Sequence, residues 1–225
     1  IENLPEGAEV FLSGRAVPPL TLINMRIATG ECQVIESSDL AFSLEEIAVL
    51  LPEGSPLDAH DLLAATDGWP TAVMATIAGG MTLPGKGLSR TNAAWEEYLA
   101  SQVWAAVPEN LREPLMRIAI PHVASDQLGS RLLGRGQWLR LRRWLAQNDF
   151  LYEPLEDDGL RLNPLLRQFL QVEYERTDPE GFAETVRDVV QCLELAGDIA
   201  GAIEIARDGG HIEMLVSLAR THSRQ

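Results

Sequence analysis

The chain has 225 residues, of which 46% are hydrophobic and 23% charged, and it carries a formal net charge of −15. This length and apolar content suffice for one or two buried cores and exclude a disordered polypeptide. The acidic balance makes the chain as a whole a poor binder of polyanions, so any contact with DNA has to be local. No apolar run approaches the roughly 20 residues that cross a bilayer, and the start lacks the pattern of a signal peptide. A cytoplasmic protein with no membrane partner is expected. Cys32 and Cys192 stand far apart without CxxC or histidine spacing, so they read as buried or reduced thiols and no metal is expected. The first residue is Ile1, and the chain reads as a piece of something longer.

Ala8–Leu12 is a short apolar run with the polar tip Ser13-Gly14-Arg15, and Pro18-Pro19 bars a helix directly after it. It is expected to be a buried strand. Ligands of open α/β sheets sit beyond the carboxyl ends of strands, which places Arg15 where it could meet a phosphate; alone, it reads as a solvated loop residue. Gln33–Glu36 is a second strand candidate. Two such strands cannot stand alone, so residues 1–38 read as the end of an α/β domain whose other strands lie before residue 1 or in another chain.

Residues 39–94 read as a small helical lid. Ser43 is the expected N-cap of a helix running to Leu51, with Glu46 closing a capping box and Phe42 stapling onto Ile47. A second helix spans 57–65, and Pro70 opens a third that reaches Ala78. The turn Gly68-Trp69-Pro70 between them leaves an amide-rich helix end that could hold a nucleotide or simply pack as a loop and core helix. Gly80–Gly87 misses the phosphate-cradling pattern: Gly87 stands where a hydroxyl belongs, and Pro84 removes an amide. That segment reads as an interhelical loop.

Residues 95–174 read as a winged helix-turn-helix. Trp95, Tyr98, Leu99, Val103, Ala106 and Val107 form an apolar stripe ended by Pro108. Helices follow over 111–120, 125–133 and 137–147, and then a hairpin in which 151–155 and 160–162 flank Asp157-Asp158-Gly159. The run from Arg131 to Arg143 holds five arginines and no acid. On a helix Arg140 and Arg143 share a face while Arg142 falls among Trp138, Leu139 and Leu145. Arg135, Arg140 and Arg143 are therefore the candidates for DNA contact, against a basic surface that packs on a neighbour or is solvated. From Asn163 a helix runs to Tyr174 and breaks at Asp178-Pro179. Residues 175–225 then give a helix over 182–195 and two shorter ones reaching Ala219, like the start of a tetratricopeptide-type array.

In register, Leu12–Leu20, Asp39–Glu46, Gly68-Trp69-Pro70 and Leu162–Leu170 resemble the MalT-type (LuxR-type) regulators among the STAND signal-transduction ATPases. The resemblance covers residues 4 to about 215 and implies a mainly α fold: a remnant of a P-loop ATPase core at 1–38, the lid, the winged helix and the first of the helical repeats. It implies that Arg15 is a sensor arginine near the terminal phosphate. Pro70 would lie against adenine, with Gly68 and Trp69 shaping the turn. Asn163 stands where many relatives carry a phosphate-sensing histidine; it can donate to an oxygen but carries no charge, which puts ADP-dependent locking in doubt. The phosphate-gripping elements would precede residue 1. ATP or ADP would then bind the full-length protein and none this fragment, which would not be catalytic alone. The implied partners are the missing ATPase core, an inducer or protein bound by the C-terminal repeats, and DNA held by a missing domain. The alternative is a DNA-binding winged helix acting through the Arg131–Arg143 region.

Overall fold

A computed structural model describes residues 8–14, 21–78, 97–148, 151–155, 159–210 and 212–222. The described residues are mainly helical, with one two-stranded antiparallel hairpin. The expected strand at Ala8–Leu12 is not formed. Residues 8–14 pair with nothing regular, and Phe11 is 85% exposed. Gln33–Glu36 is likewise irregular, with Val34 and Ile35 exposed. Both corrections have one cause: a short apolar run becomes a strand only against a neighbouring ladder, and none lies beside these segments among the described residues. Two helices in this region escaped the sequence pattern, α1 (Thr21–Ala28) and the single-turn α2 (Ser37–Leu40). The first ends at Gly30, whose φ of 75° suits a residue without Cβ.

The lid comprises α3 (Leu44–Leu50), α4 (Ala59–Thr66) and α5 (Pro70–Ile77). Ser43 caps α3 as its spacing foretold: its hydroxyl accepts the Glu46 amide at 3.3 Å, and its own N–H donates to Glu46 Oε2 at 2.8 Å. These bonds hold the Glu46 carboxyl below the usual range. Ile47, Leu62 and Val73 make a separate small core, covered by Phe42, Leu51 and Ile77. Its neighbour on α5, Ala72, belongs instead to the large core that continues through the rest of the chain. One helix therefore serves two cores.

After the lid, the expected regular helix is a widened π segment, Leu99–Val103, followed by a 3-10 turn, Trp104–Ala106. The wider winding puts Leu99, Val103 and Val107 on one buried line every four residues, and Ala106 swings out to solvent. Trp95, also placed on that stripe, lies outside the described residues, as do Gly80–Gly87. Next come α6 (Glu109–Ile118), α7 (Asp126–Leu133) and α8 (Arg135–Leu145). Strands β1 (Tyr152–Pro154) and β2 (Leu160–Leu162) pair as Tyr152↔Leu162, Glu153↔Arg161 and Pro154↔Leu160. Ala124 bridges the far side of Leu160 through bonds of 2.9 and 3.0 Å, so the segment before α7 supplies a third, minimal strand. Three helices and this hairpin are a winged helix. Trp138 of α8 is fully buried, donates Nε1 to Asp126 at 2.7 Å and lies against Gly129.

Four helices complete the chain as described: α9 (Pro164–Thr177), α10 (Pro179–Ala196), α11 (Ile199–Asp208) and α12 (Ile212–His222). Asp178 caps α10 at Gly181 and Asp198 caps α11 at Gly201, each through a 2.9 Å bond. Arg167 and Gln171 of α9 donate to the carbonyls of Ala119 and Ile120 at the end of α6, with bonds between 2.8 and 3.5 Å. Further along α9, Tyr174 shares a 3.0 Å hydrogen bond with Thr185 and meets the Phe182 ring edge-on. The large core thus runs without a break from the winged helix into α10.

The seating of Trp138 gives a direct test. A Cβ at Gly129 would come within 2.6 Å of the indole, and Gly129→Ala is expected to lower stability by about 1–3 kcal/mol through overpacking. Urea unfolding followed by tryptophan fluorescence reads that change.

Candidate functional site

The candidate site is the joint between lid and winged helix. α4 ends at Thr66 and the chain reverses through two successive left-handed residues, Asp67 (φ 50°) and Gly68 (φ 71°). Aspartate tolerates that region, and at Gly68 nothing else fits, because a Cβ would overlap the carbonyl oxygen of Phe42. The Phe42 amide donates to Gly68 O at 2.8 Å, and Trp69 N–H returns to Thr66 O at 3.0 Å. Pro70 then opens α5 at its first position, as the sequence indicates. Trp69 is half-buried and set by the Tyr98 ring, 6.2 Å away at a tilt of 60°.

The other wall comes from the hairpin and the start of α9. Asn163, 7% exposed, accepts the Leu165 and Leu166 amides on Oδ1 at 3.1 and 3.5 Å, capping α9. Its Nδ2 donates to Thr66 O at 3.2 Å, across 97 positions of sequence. Two residues earlier, on β2, Arg161 holds Glu153 across the hairpin, Nε at 2.9 Å and Nη2 at 2.7 Å, and also reaches Asp67 Oδ1 at 3.2 Å. Burial pushes the Asp67 carboxyl above its ordinary range by more than the adjacent guanidinium pulls it down, and Glu153 adds to the rise. Burial also works against the Arg161 charge, but the bonds to Glu153 and Asp67 outweigh it and hold that group above its usual value. Both members of one ion pair thus move upward, because the carboxylate is the more deeply desolvated and two carboxylates share one cation.

Of the residues singled out in the sequence, Gly68, Trp69, Pro70 and Asn163 meet at this joint. Arg15 lies outside the described residues. Arg161 and Asp67 escaped the sequence reading; the cross-strand Glu153 opposite Arg161 was the available signal, whereas nothing local points from Arg161 to Asp67. Arg135, Arg140 and Arg143 sit elsewhere, together on the exposed face of α8. Arg142 is turned inward, over the Trp138 ring at 5.8 Å and 3.8 Å from Asp126.

As a nucleotide contact, the turn offers the half-buried Trp69 and Pro70, which suit the flat face of a base. Among the described residues the buried side-chain polar atoms lacking a partner are Nε of Arg26 and of Arg117, neither part of the turn. Asn163 is committed to the α9 cap and to Thr66, so in this arrangement it acts as a fastener between two units.

Comparison with known proteins places this geometry. Residues 100–182 match the family model described as the MalT winged helix domain. The chain is similar to the MalT regulators. Proteins named HTH-type transcriptional regulator MalT from Vibrio parahaemolyticus, Vibrio cholerae and Yersinia enterocolitica are 26%, 25% and 24% identical over 80%, 97% and 99% of this chain. The chain spans only 21%, 26% and 26% of their respective lengths. The described winged helix is thus similar to that of the MalT regulators, and the hairpin and Asn163 both fall within the matched segment.

Two outcomes follow from this joint. Asn163→Ala removes a helix cap and the bond to Thr66 together, and is expected to cost about 1–3 kcal/mol, with faster hydrogen exchange at the Gly68 and Trp69 amides. Asp67 is raised in the folded state from a reference of 3.8. The folded chain then binds that proton more tightly than the unfolded one, so the contribution of Asp67 is greatest below the reference value and is lost as pH rises through the folded pKa. The stability of Asp67→Asn relative to the native chain should accordingly increase as pH rises above the 3.8 reference, as read by urea unfolding at each pH.

Proposed function

We propose that this chain is the nucleotide-sensing lid and interdomain switch of a larger, cytoplasmic, ATP-dependent transcriptional regulator. In this reading residues 1–38 finish a P-loop ATPase core and α10–α12 begin a tetratricopeptide-like array that receives an inducer or partner protein. The nucleotide is held by the full-length protein, with Pro70 against the base, Gly68 and Trp69 shaping its seat, and Arg15 toward the terminal phosphate. The chain is not catalytic alone, since phosphate grip and hydrolysis are assigned to residues it does not contain. One observation carries the reading: the turn assigned to the base is fastened directly to the winged helix through Asn163 and Arg161. A displacement of the turn is thereby passed to α9.

A second reading is favoured by a separate observation. Arg135, Arg140 and Arg143 are exposed on α8, and among the described residues no carboxylate lies within ion-pair reach of them. That arrangement could contact DNA directly.

The two readings separate in one set of measurements. In titrations of the full-length protein, Trp69→Ala and Arg15→Ala should each weaken ADP or ATP binding by roughly tenfold or more, about 1.4 kcal/mol. Mutating Arg140 and Arg143 to Glu should leave that binding unchanged. Retardation of a DNA duplex by the present chain at physiological salt, lost in the Arg140→Glu, Arg143→Glu variant, would support the DNA reading instead.

A further inference from the structure

The guanidinium of Arg161 is shared unequally. Glu153 stands opposite it in the strand register and takes two of its contacts, at 2.7 and 2.9 Å. Asp67 takes one, longer, at 3.2 Å, and belongs to the lid. The hairpin contact moves with Arg161 whatever the lid does; the Asp67 contact exists only while lid and winged helix are docked. The Asp67 carboxylate is also the costlier of the two to keep charged, since burial works against its ionised form. Arg161 is 38% exposed, and a planar fork of five N–H donors is the geometry that grips phosphate oxygens. It stands beside the residue three positions before Pro70.

We propose that Arg161 is a phosphate-responsive arm of the switch: Asp67 holds it while the joint is at rest, and the anionic end of a nucleotide seated at the Gly68-Trp69-Pro70 turn competes with Asp67 for its guanidinium. This assignment rests on the nucleotide reading given above and adds to it the residue that senses the phosphate. Asn163 stays a fastener. Arg161 carries the charge that an asparagine lacks, so phosphate sensing from the winged helix does not require a histidine at 163.

The arm and a simple structural ion pair predict opposite things for Asp67. If the pair were only glue, Arg161→Ala and Asp67→Asn would loosen the same joint and shift ligand affinity in the same direction. If Asp67 is a competitor, removing its charge frees the arm. Asparagine is tolerated at a φ of 50°, so Asp67→Asn keeps the turn.

The test is calorimetric titration of the full-length protein with ADP and, separately, with adenosine, which has the base and no phosphate. Arg161→Ala should weaken ADP about tenfold and leave adenosine within about twofold, and Asp67→Asn should strengthen ADP about threefold with adenosine again unchanged. Arg161→Lys, which keeps the charge without the fork, should fall between the native chain and Arg161→Ala. Same-direction shifts for Arg161→Ala and Asp67→Asn, or equal effects on ADP and adenosine, overturn the arm while leaving the turn as the base-binding element. No ADP binding by the native full-length protein overturns the nucleotide reading and the arm with it.

Discussion

Much of the described structure depends on the side-chain amide of Asn163. Its oxygen closes the first turn of α9 and its nitrogen holds the last carbonyl of α4. Its backbone N–H meanwhile donates to Leu151 O at 3.0 Å, closing the hairpin behind it. A helix end leaves amides that must be satisfied when buried, and a helix C-terminus leaves carbonyls with the same need. One amide, with a donor and an acceptor at opposite ends, meets both needs at once. A hydroxyl is too short to span them, and an aliphatic residue would leave the buried amides at the start of α9 uncapped and remove the bond that ties them to α4.

This fastening makes α9 the element that touches each of the units. Its 14 residues extend about 21 Å. At its start lies the lid; midway, Arg167 and Gln171 hold the carbonyls at the end of α6; near its end, Tyr174 and Phe182 join it to α10. The burial of Arg167 is expensive enough to lower its pKa, and Asp208 and Glu204 of α11 offset part of that cost. Arg167 is therefore a half-buried cation committed to backbone carbonyls, which fixes the rotation of α9 against the winged helix. A rigid rod with specific attachments at three points can shift as a body. It cannot bend freely between them.

What could be read from the sequence was what is local. Ser43 and Glu46 lie three residues apart and need no other part of the chain to cap α3, and Pro70 specifies its helix start through its own ring. The helix-turn-helix and hairpin were legible for the same reason, since periodicity and turn residues act over short spans. The runs at Ala8–Leu12 and Gln33–Glu36 misled because apolar composition records a wish to be covered and does not name the cover. The widened turn at Leu99–Val103 was hidden, since a four-residue apolar spacing fits an ordinary helix nearly as well. The joint itself was half legible. Gly68, Trp69, Pro70 and Asn163 could be singled out, but the Arg161–Asp67 pair joins positions 94 apart and leaves no local trace.

The charge distribution bears on what the winged helix faces. Five of the eighteen basic residues fall between Arg131 and Arg143, in a chain with a net charge of −15. Arg135, Arg140 and Arg143 are exposed on α8, while the strand β1 carries the acid Glu153. In a winged helix bound to DNA through its third helix, the wing lies close to the phosphate backbone, where such acids are repelled. Glu153 moreover has a task inside the molecule, holding Arg161 at the lid joint. The strand β1 thus contributes to the joint through Glu153, a charge that a phosphate backbone would repel.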